Sequence, residues 1–211
     1  KILADLHDDE GRVTLAGFYD GVPELPDELR ESWARLEFDP AAFLGEVGLS
    51  IPAGEKGRSV LEQTWSRPTA EVNGMGGGYQ GAGFKTVIPA EARAKVSFRL
   101  VFDQDPHKIR AAFRQLVRDR LPADCAVEFH EHGSGTAVAF DTSGPVFRAA
   151  QGALTDEWGK DAAFVGGGGS IPVATLFRQV LGLEAVMAGF GLADDAIHSP
   201  NEKYELRSFH K

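Results

Sequence analysis

Cysteine is almost absent from this chain of 211 residues, which contains a single one, Cys125. One cysteine cannot form a disulfide within the chain, and such scarcity is typical of proteins from a reducing compartment. Cys125 falls in an alternating, strand-like run, so we expect a buried small hydrophobic residue there rather than a nucleophile. We therefore expect a cytoplasmic protein.

Long apolar runs and an excess of positive charge are also missing. No run of about eighteen apolar residues occurs, so we expect no membrane-spanning segment and a soluble protein. The 22 basic residues stand against 31 acidic ones and give a net charge of -9. This charge repels phosphate backbones and anionic bilayers, so we expect neither nucleic acid nor a membrane as a partner.

What is present is an ordinary globular composition, 43% hydrophobic and 25% charged, which suits one large or two small domains. The ends are unusual. Residues 1–7 read as the tail of an amphipathic helix without an initiator Met, a cap or a signal peptide, and residues 204–211 read as a helix that stops early. We therefore expect a fragment of a longer protein.

The pattern along the chain predicts two layers. The first is α+β: a short strand at 12–16, helices at 26–36, 40–47 and 61–66, a glycine-rich link at 74–83, strand 92–102, helix 106–121 and strand 125–132. The second is α/β with parallel strands: helix 146–158, strand 162–165, helix 171–181 and strand 184–188. The pattern resets near residues 140–145, where we place the boundary.

Two loops carry candidate chemistry. Gly166 to Gly169 precede Ser170 and a helix, which is typical either of an anion-binding turn or of a plain tight turn with Ser170 as the helix N-cap. Asp194, Asp195 and His198 follow a predicted strand, where acidic and imidazole groups are well placed for a metal. From the residues alone, a solvated turn ending in a helix cap is the favoured interpretation of that second loop.

A third candidate lies on the predicted sheet. Arg99 and His132 occupy polar faces of their strands, and together they could bind a carboxylate. Composition alone favours the alternative, a solvated sheet surface. His7, His107, His130 and His210 have no spacing that indicates a metal site, and we interpret them as surface groups.

Taken in order, five motifs give the chain a resemblance to the M20 dipeptidases, close to carnosinase-like enzymes. They are residues 81–89, 97–101, 132–133, 168–173 and 193–203. The resemblance implies a ferredoxin-like α+β lid or dimerisation domain over residues 1–133. Residues 134–211 would then be the C-terminal part of an α/β zinc-peptidase catalytic domain.

The family's chemistry, by this resemblance, is hydrolysis of dipeptides or short peptides with a free C-terminal carboxylate. Two zinc or manganese ions in the intact enzyme hold a hydroxide that attacks the peptide carbonyl. His198 matches the last metal ligand; Arg99, His132 and Ser170 match groups that line the substrate pocket. Thr86 matches a lid residue near the substrate, and the lid makes the enzyme a homodimer.

The chain also departs from the family. By the resemblance, the other metal ligands and the glutamate general base lie upstream, so we expect this fragment to lack the metals and to be inactive alone. Gly167 stands where carnosinase-like relatives often carry glutamate. Two alternatives stay open: an M20-type amidohydrolase that deacylates N-acyl amino acids, and a non-catalytic dimerisation fragment.

Overall fold

The fold was obtained as a computed structural model that describes residues 1–169 and 171–210. Helices predominate. The α-helices are α1 (Asp27–Ala34), α2 (Pro40–Gly45), α3 (Val60–Trp65), α4 (Pro106–Arg120), α5 (Pro145–Trp158), α6 (Pro172–Leu181) and α7 (Leu206–His210), and short 3-10 helices span Ile2–Leu6 and Ala193–Asp195. The helices predicted at 26–36, 40–47, 61–66, 106–121, 146–158 and 171–181 are therefore confirmed within a few residues.

Helix starts follow the local chemistry. Asp39 and Asp105 each precede a proline in the first helical position and accept hydrogen bonds from backbone N–H groups of the first turn. Ser59 and Glu62 exchange side-chain and backbone hydrogen bonds as a capping box at the start of α3. These bonds satisfy donors that a helix otherwise leaves unpaired.

The sheet has two antiparallel strands, β1 (Thr69–Gly77) and β2 (Ala92–Arg99). Thr69 lies opposite Arg99, and the register shifts between Val72 and Gly74. The predicted strand at 92–102 is confirmed, whereas the link predicted from residue 74 onward begins only after β1 ends. Gly77 shows why glycine suits the strand end, because a Cβ there would lie 3.0 Å from the Glu91 carbonyl oxygen.

The core beneath this sheet uses the faces that the sequence predicts. Ile109, Leu116 and Val117 of α4 are buried, and Phe113 is half-buried beside them. Phe18 is 1% exposed and contacts Phe98 of β2 at 6.0 Å between ring centroids. A second cluster, with the edge-to-face pair Trp33 and Trp65, packs between α1 and α3.

Three predicted strands form no ladder among the described residues. These are the segments 125–132, 162–165 and 184–188, and residues 12–16 contribute only an isolated bridge between His7 and Val13. Alternating or apolar sequence indicates that a segment can join a sheet, but a strand also needs a neighbour for its hydrogen bonds. The described residues therefore show mixed helices with a two-stranded sheet, not a parallel layer or a ferredoxin-like topology.

The chain folds as two compact units. One comprises Lys1–Ala139 with Val165–Thr175, and the other comprises Phe140–Phe164 with Leu176–Lys211. In the second unit Phe147 is buried between Phe140 and Phe164. None of the helices in the described ranges combines the length and apolarity that crossing a bilayer requires.

Cys125 differs from its prediction. Its side chain is exposed, and its Sγ lies 3.8 Å from Asp124 Oδ1. Cys125 lies in the turn after α4. The chain begins to pack against that helix only after this turn, so the alternating pattern of apolar residues does not bury Cys125.

Candidate functional site

The predicted substrate-binding residues of the first unit lie on separate segments with exposed side chains. Thr86 is in the connection between β1 and β2, Arg99 ends β2, and His132 follows α4. Ser170 lies outside the described residues. The carboxylate clamp therefore stays a prediction from the resemblance.

The segment that carries His132 packs against α4 through side chains. Phe129 lies under two guanidinium groups, with Arg114 at 5.3 Å and Arg118 at 5.4 Å from its ring centroid. Glu131 forms ion pairs with Arg110, at 3.1 Å, and with Arg114. These contacts hold residues 129–131 on the helix without a strand ladder.

The glycine run before α6 passes close to the end of α3. A Cβ on Gly166 would lie 2.4 Å from the Trp65 Cβ, and one on Gly168 would lie 2.9 Å from the Thr64 carbonyl oxygen. Such distances leave no room for a side chain. Close packing against α3 thus accounts for glycine at both positions without an anion.

A buried carboxylate organises the loop around His198. Asp195 is 1% exposed, and its carboxylate accepts hydrogen bonds from the Leu192 backbone N–H at 2.7 Å and the Lys203 ammonium at 2.9 Å. The Lys203 backbone N–H donates to the Asp195 carbonyl oxygen at 3.0 Å, and its ammonium also reaches Asp194 at 3.0 Å. These bonds close the loop that contains His198.

The same contacts set the charges. The Leu192 N–H and then the Lys203 ammonium lower the pKa of the Asp195 carboxyl. The hydrogen bonds to Asp195 and then Asp194 raise the pKa of the Lys203 ammonium. Both groups are therefore charged at neutral pH, and the carboxylates are engaged with lysine.

His198 itself has a strained backbone. Its φ is 62°, and Ala196 and Asn201 in the same loop also have positive φ, at 53° and 64°. Non-glycine residues seldom adopt this region, which is over-represented at functional sites. The His198 backbone N–H donates to Glu202 Oε2 at 3.3 Å, and its imidazole is exposed.

This loop does not complete a metal site within the described parts of the chain. No three His, Cys, Asp or Glu side chains converge there in a way that could hold a metal ion. Asp194 and Asp195 pair with Lys203, and Glu202 accepts the His198 N–H. A shallow depression of about 420 Å³ beside the loop is lined by Gly191, Asp195, Ile197, Glu202, Lys203 and Tyr204. Of Asp194, Asp195 and His198, which the sequence places well for a metal, His198 alone remains available as a ligand.

Sequence reasoning missed the residues that brace these segments. Lys203 belongs to the last of the five motifs, but only folding brings its ammonium back to Asp195. Glu131 stands directly before His132, and the arginine spacing at 110, 114 and 118 places three guanidinium groups on one face of α4. That spacing was the sequence signal from which contacts to these arginines could have been predicted.

The first part of the chain matches a known peptidase domain. The M20 peptidase dimerisation domain matches residues 1–125, more than half of the chain. The chain belongs to the M20 peptidase family. It is 29% identical to the Cys-Gly metallodipeptidase DUG1 of Candida albicans over 215 residues, covering 99% of this chain and 44% of that protein.

Other M20 relatives agree along the whole chain. The human Beta-Ala-His dipeptidase is 26% identical over 212 residues, which cover 96% of this chain and 40% of that protein. The crystal structure of the M20 family metallo-carboxypeptidase Sso-CP2 from Sulfolobus solfataricus superposes with a TM-score of 0.85 at 30% identity, covering 99% of this chain and 48% of that one. The chain thus spans less than half the length of these M20 proteins.

Proposed function

We propose that this chain is part of a cytoplasmic, metal-dependent M20 peptidase that hydrolyses dipeptides or short peptides with a free C-terminal carboxylate. The observation that carries this proposal is the match along 99% of the chain to a metallodipeptidase and to a metallo-carboxypeptidase. Both names describe hydrolases of peptide bonds near a chain end.

In this proposal each matched residue has a physical role. Arg99 presents a guanidinium suited to bidentate pairing with a carboxylate, and His132 and Ser170 add hydrogen-bonding groups that orient the substrate. Thr86, in the long connection between β1 and β2, contacts the substrate from the lid. The homodimer forms through the dimerisation domain.

In this proposal the described residues supply only part of the metal site. His198 contributes one imidazole, which is exposed on a loop closed by the Asp195–Lys203 contacts. Two divalent ions, zinc or manganese, would supply Lewis-acid polarisation of the peptide carbonyl when bound. Since the described residues offer no further free ligand set, no catalytic step can be assigned to them.

A His198→Ala substitution in the full-length protein tests the proposal. We expect metal content after dialysis to fall and turnover of Cys-Gly and β-Ala-His to drop more than about 100-fold, because loss of even an outer-shell partner of a ligand costs about 10- to 100-fold. The matched control is His107→Ala, which removes an exposed imidazole from the first turn of α4.

Substrate profiling separates the alternatives. Dipeptide turnover supports the peptidase. Turnover of N-acetyl or N-succinyl amino acids without dipeptide turnover would instead identify an amidohydrolase. If the full-length protein binds no metal and turns over neither class, the chain belongs to a non-catalytic dimerisation protein.

A further inference from the structure

His132 sits on a segment whose placement needs an explanation. Residues 125–132 pair with no strand in the described parts of the chain, so backbone hydrogen bonds to a sheet do not fix them. A side chain that orients substrate must nevertheless be held within a fraction of an ångström, since small misplacements weaken binding and catalysis. Side-chain contacts to α4 are the remaining means.

Those contacts alternate along the segment. Phe129 and Glu131 face the arginines of α4, whereas Glu128 and His130 are exposed, with Glu128 Oε2 3.7 Å from His130 Nε2. Successive side chains of an extended segment point to opposite sides. His132 therefore shares the outward side with Glu128 and His130, away from α4.

Glu131, whose side chain contacts α4, directly precedes His132. Its two carboxylate oxygens engage different arginines, Oε2 with Arg110 and Oε1 with Arg114. Arg110 and Arg114 lie one helical turn apart, so a carboxylate bridging them is fixed in position along the helix and in rotation. Arg114 also covers the ring of Phe129, which ties the two anchors together.

We propose that Glu131, bridged between Arg110 and Arg114, is a positioning residue that aims His132 at the substrate carboxylate. This inference rests on the proposed function, in which His132 lines the substrate pocket. Glu131 itself does not touch substrate in this arrangement. It acts through the adjacent residue.

The test uses Glu131→Gln in the full-length protein with a dipeptide substrate. The amide keeps the shape of the side chain but removes the charge that pairs with two arginines. We expect KM to rise about fivefold, because a partly exposed ion pair contributes up to about 1 kcal/mol. We expect kcat to stay within about twofold, since binding of the substrate carboxylate is what weakens.

The matched control is Glu128→Gln, which removes the same charge three residues earlier, where the carboxylate pairs with the exposed His130 rather than with α4. We expect no change in its KM. Arg110→Met removes half of the bridge and leaves Arg114, so it should raise KM in the same direction by less.

A double-mutant cycle assigns the effect to His132. If Glu131 acts through His132, adding Glu131→Gln to His132→Ala changes KM no further. Equal KM values for Glu131→Gln and Glu128→Gln would overturn the inference, as would an undiminished effect of Glu131→Gln in the His132→Ala background. A normal KM in His132→Ala alone instead refutes the proposed role of His132.

Discussion

At the scale of single residues, the charge on Asp195 makes the His198 loop sensitive to acid. Hydrogen bonds from Leu192 and Lys203 hold the pKa of the Asp195 carboxyl below its usual value. A lowered pKa in the folded state stabilises the fold above the unfolded pKa of about 3.9, and this contribution is lost as the pH falls through the folded value.

Hydrogen exchange at the Leu192 amide reports this bond directly, because that N–H donates to the Asp195 carboxylate at 2.7 Å. We expect its protection to be constant between about pH 5 and 7 and to fall once the pH drops below about 4. Asp195→Asn should lower protection at neutral pH and remove the acid step. Asp156→Asn, an exposed charge removal in α5, is the control. An acid step that survives in Asp195→Asn would assign the titration to another group.

At the scale of elements, the glycine run beside α3 provides a matched pair of substitutions. Gly166→Ala places a Cβ 2.4 Å from the Trp65 Cβ, whereas Gly167→Ala meets nothing within 4 Å. Overpacking of this kind typically costs about 1–3 kcal/mol. We therefore expect Gly166→Ala to lower the free energy of unfolding by that amount and Gly167→Ala to leave it nearly unchanged.

Urea unfolding followed by tryptophan fluorescence suits this comparison, because Trp65 lies at the contact and packs on Trp33. Equal midpoints for the two variants would mean that the run does not pack on α3. Loss of stability in both would point to backbone conformation rather than to a clash of the added Cβ.

Helices were predictable from sequence, and strands were so only in part. Asp39 and Asp105, each followed by proline, mark helix starts through local hydrogen bonds that need no distant partner. The segments 162–165 and 184–188 carry apolar residues that suit a strand, yet pairing depends on a neighbour elsewhere in the chain. Local chemistry could not reveal whether that neighbour was available.

For the candidate site, sequence motifs located the loops but not their supports. His198 was found from a motif, whereas its bracing by Lys203 and Asp195 depends on how the loop closes. The acidic residues beside His198 look like metal ligands in sequence. In the folded chain, Lys203 pairs with two of them, Asp194 and Asp195. The spacing of these residues in the sequence does not show that competition.

At the scale of the whole molecule, the connection between β1 and β2 carries exposed apolar side chains on a dimerisation domain. Phe84 and Ile88 are 87% and 93% exposed on either side of Thr86. Exposed apolar residues clustered in one loop commonly mark an interaction surface. In the homodimer proposed for this protein, we expect this loop to bury both side chains against the partner subunit.

Ile88→Glu in the full-length protein should therefore weaken the dimer. An ionised carboxylate in an apolar contact is costly, so we expect the dissociation constant to rise about tenfold or more, measured by sedimentation over a concentration series. Val47→Glu, at a 73% exposed position after α2, controls for added charge and should leave the constant unchanged. If Ile88→Glu leaves the dimer intact while Val47→Glu disrupts it, the interface lies on the helical side of the first unit.

If the dimer depends on the loop, Thr86 is carried to the partner subunit together with its apolar neighbours. Substrate binding at the partner subunit should then weaken as the protein is diluted.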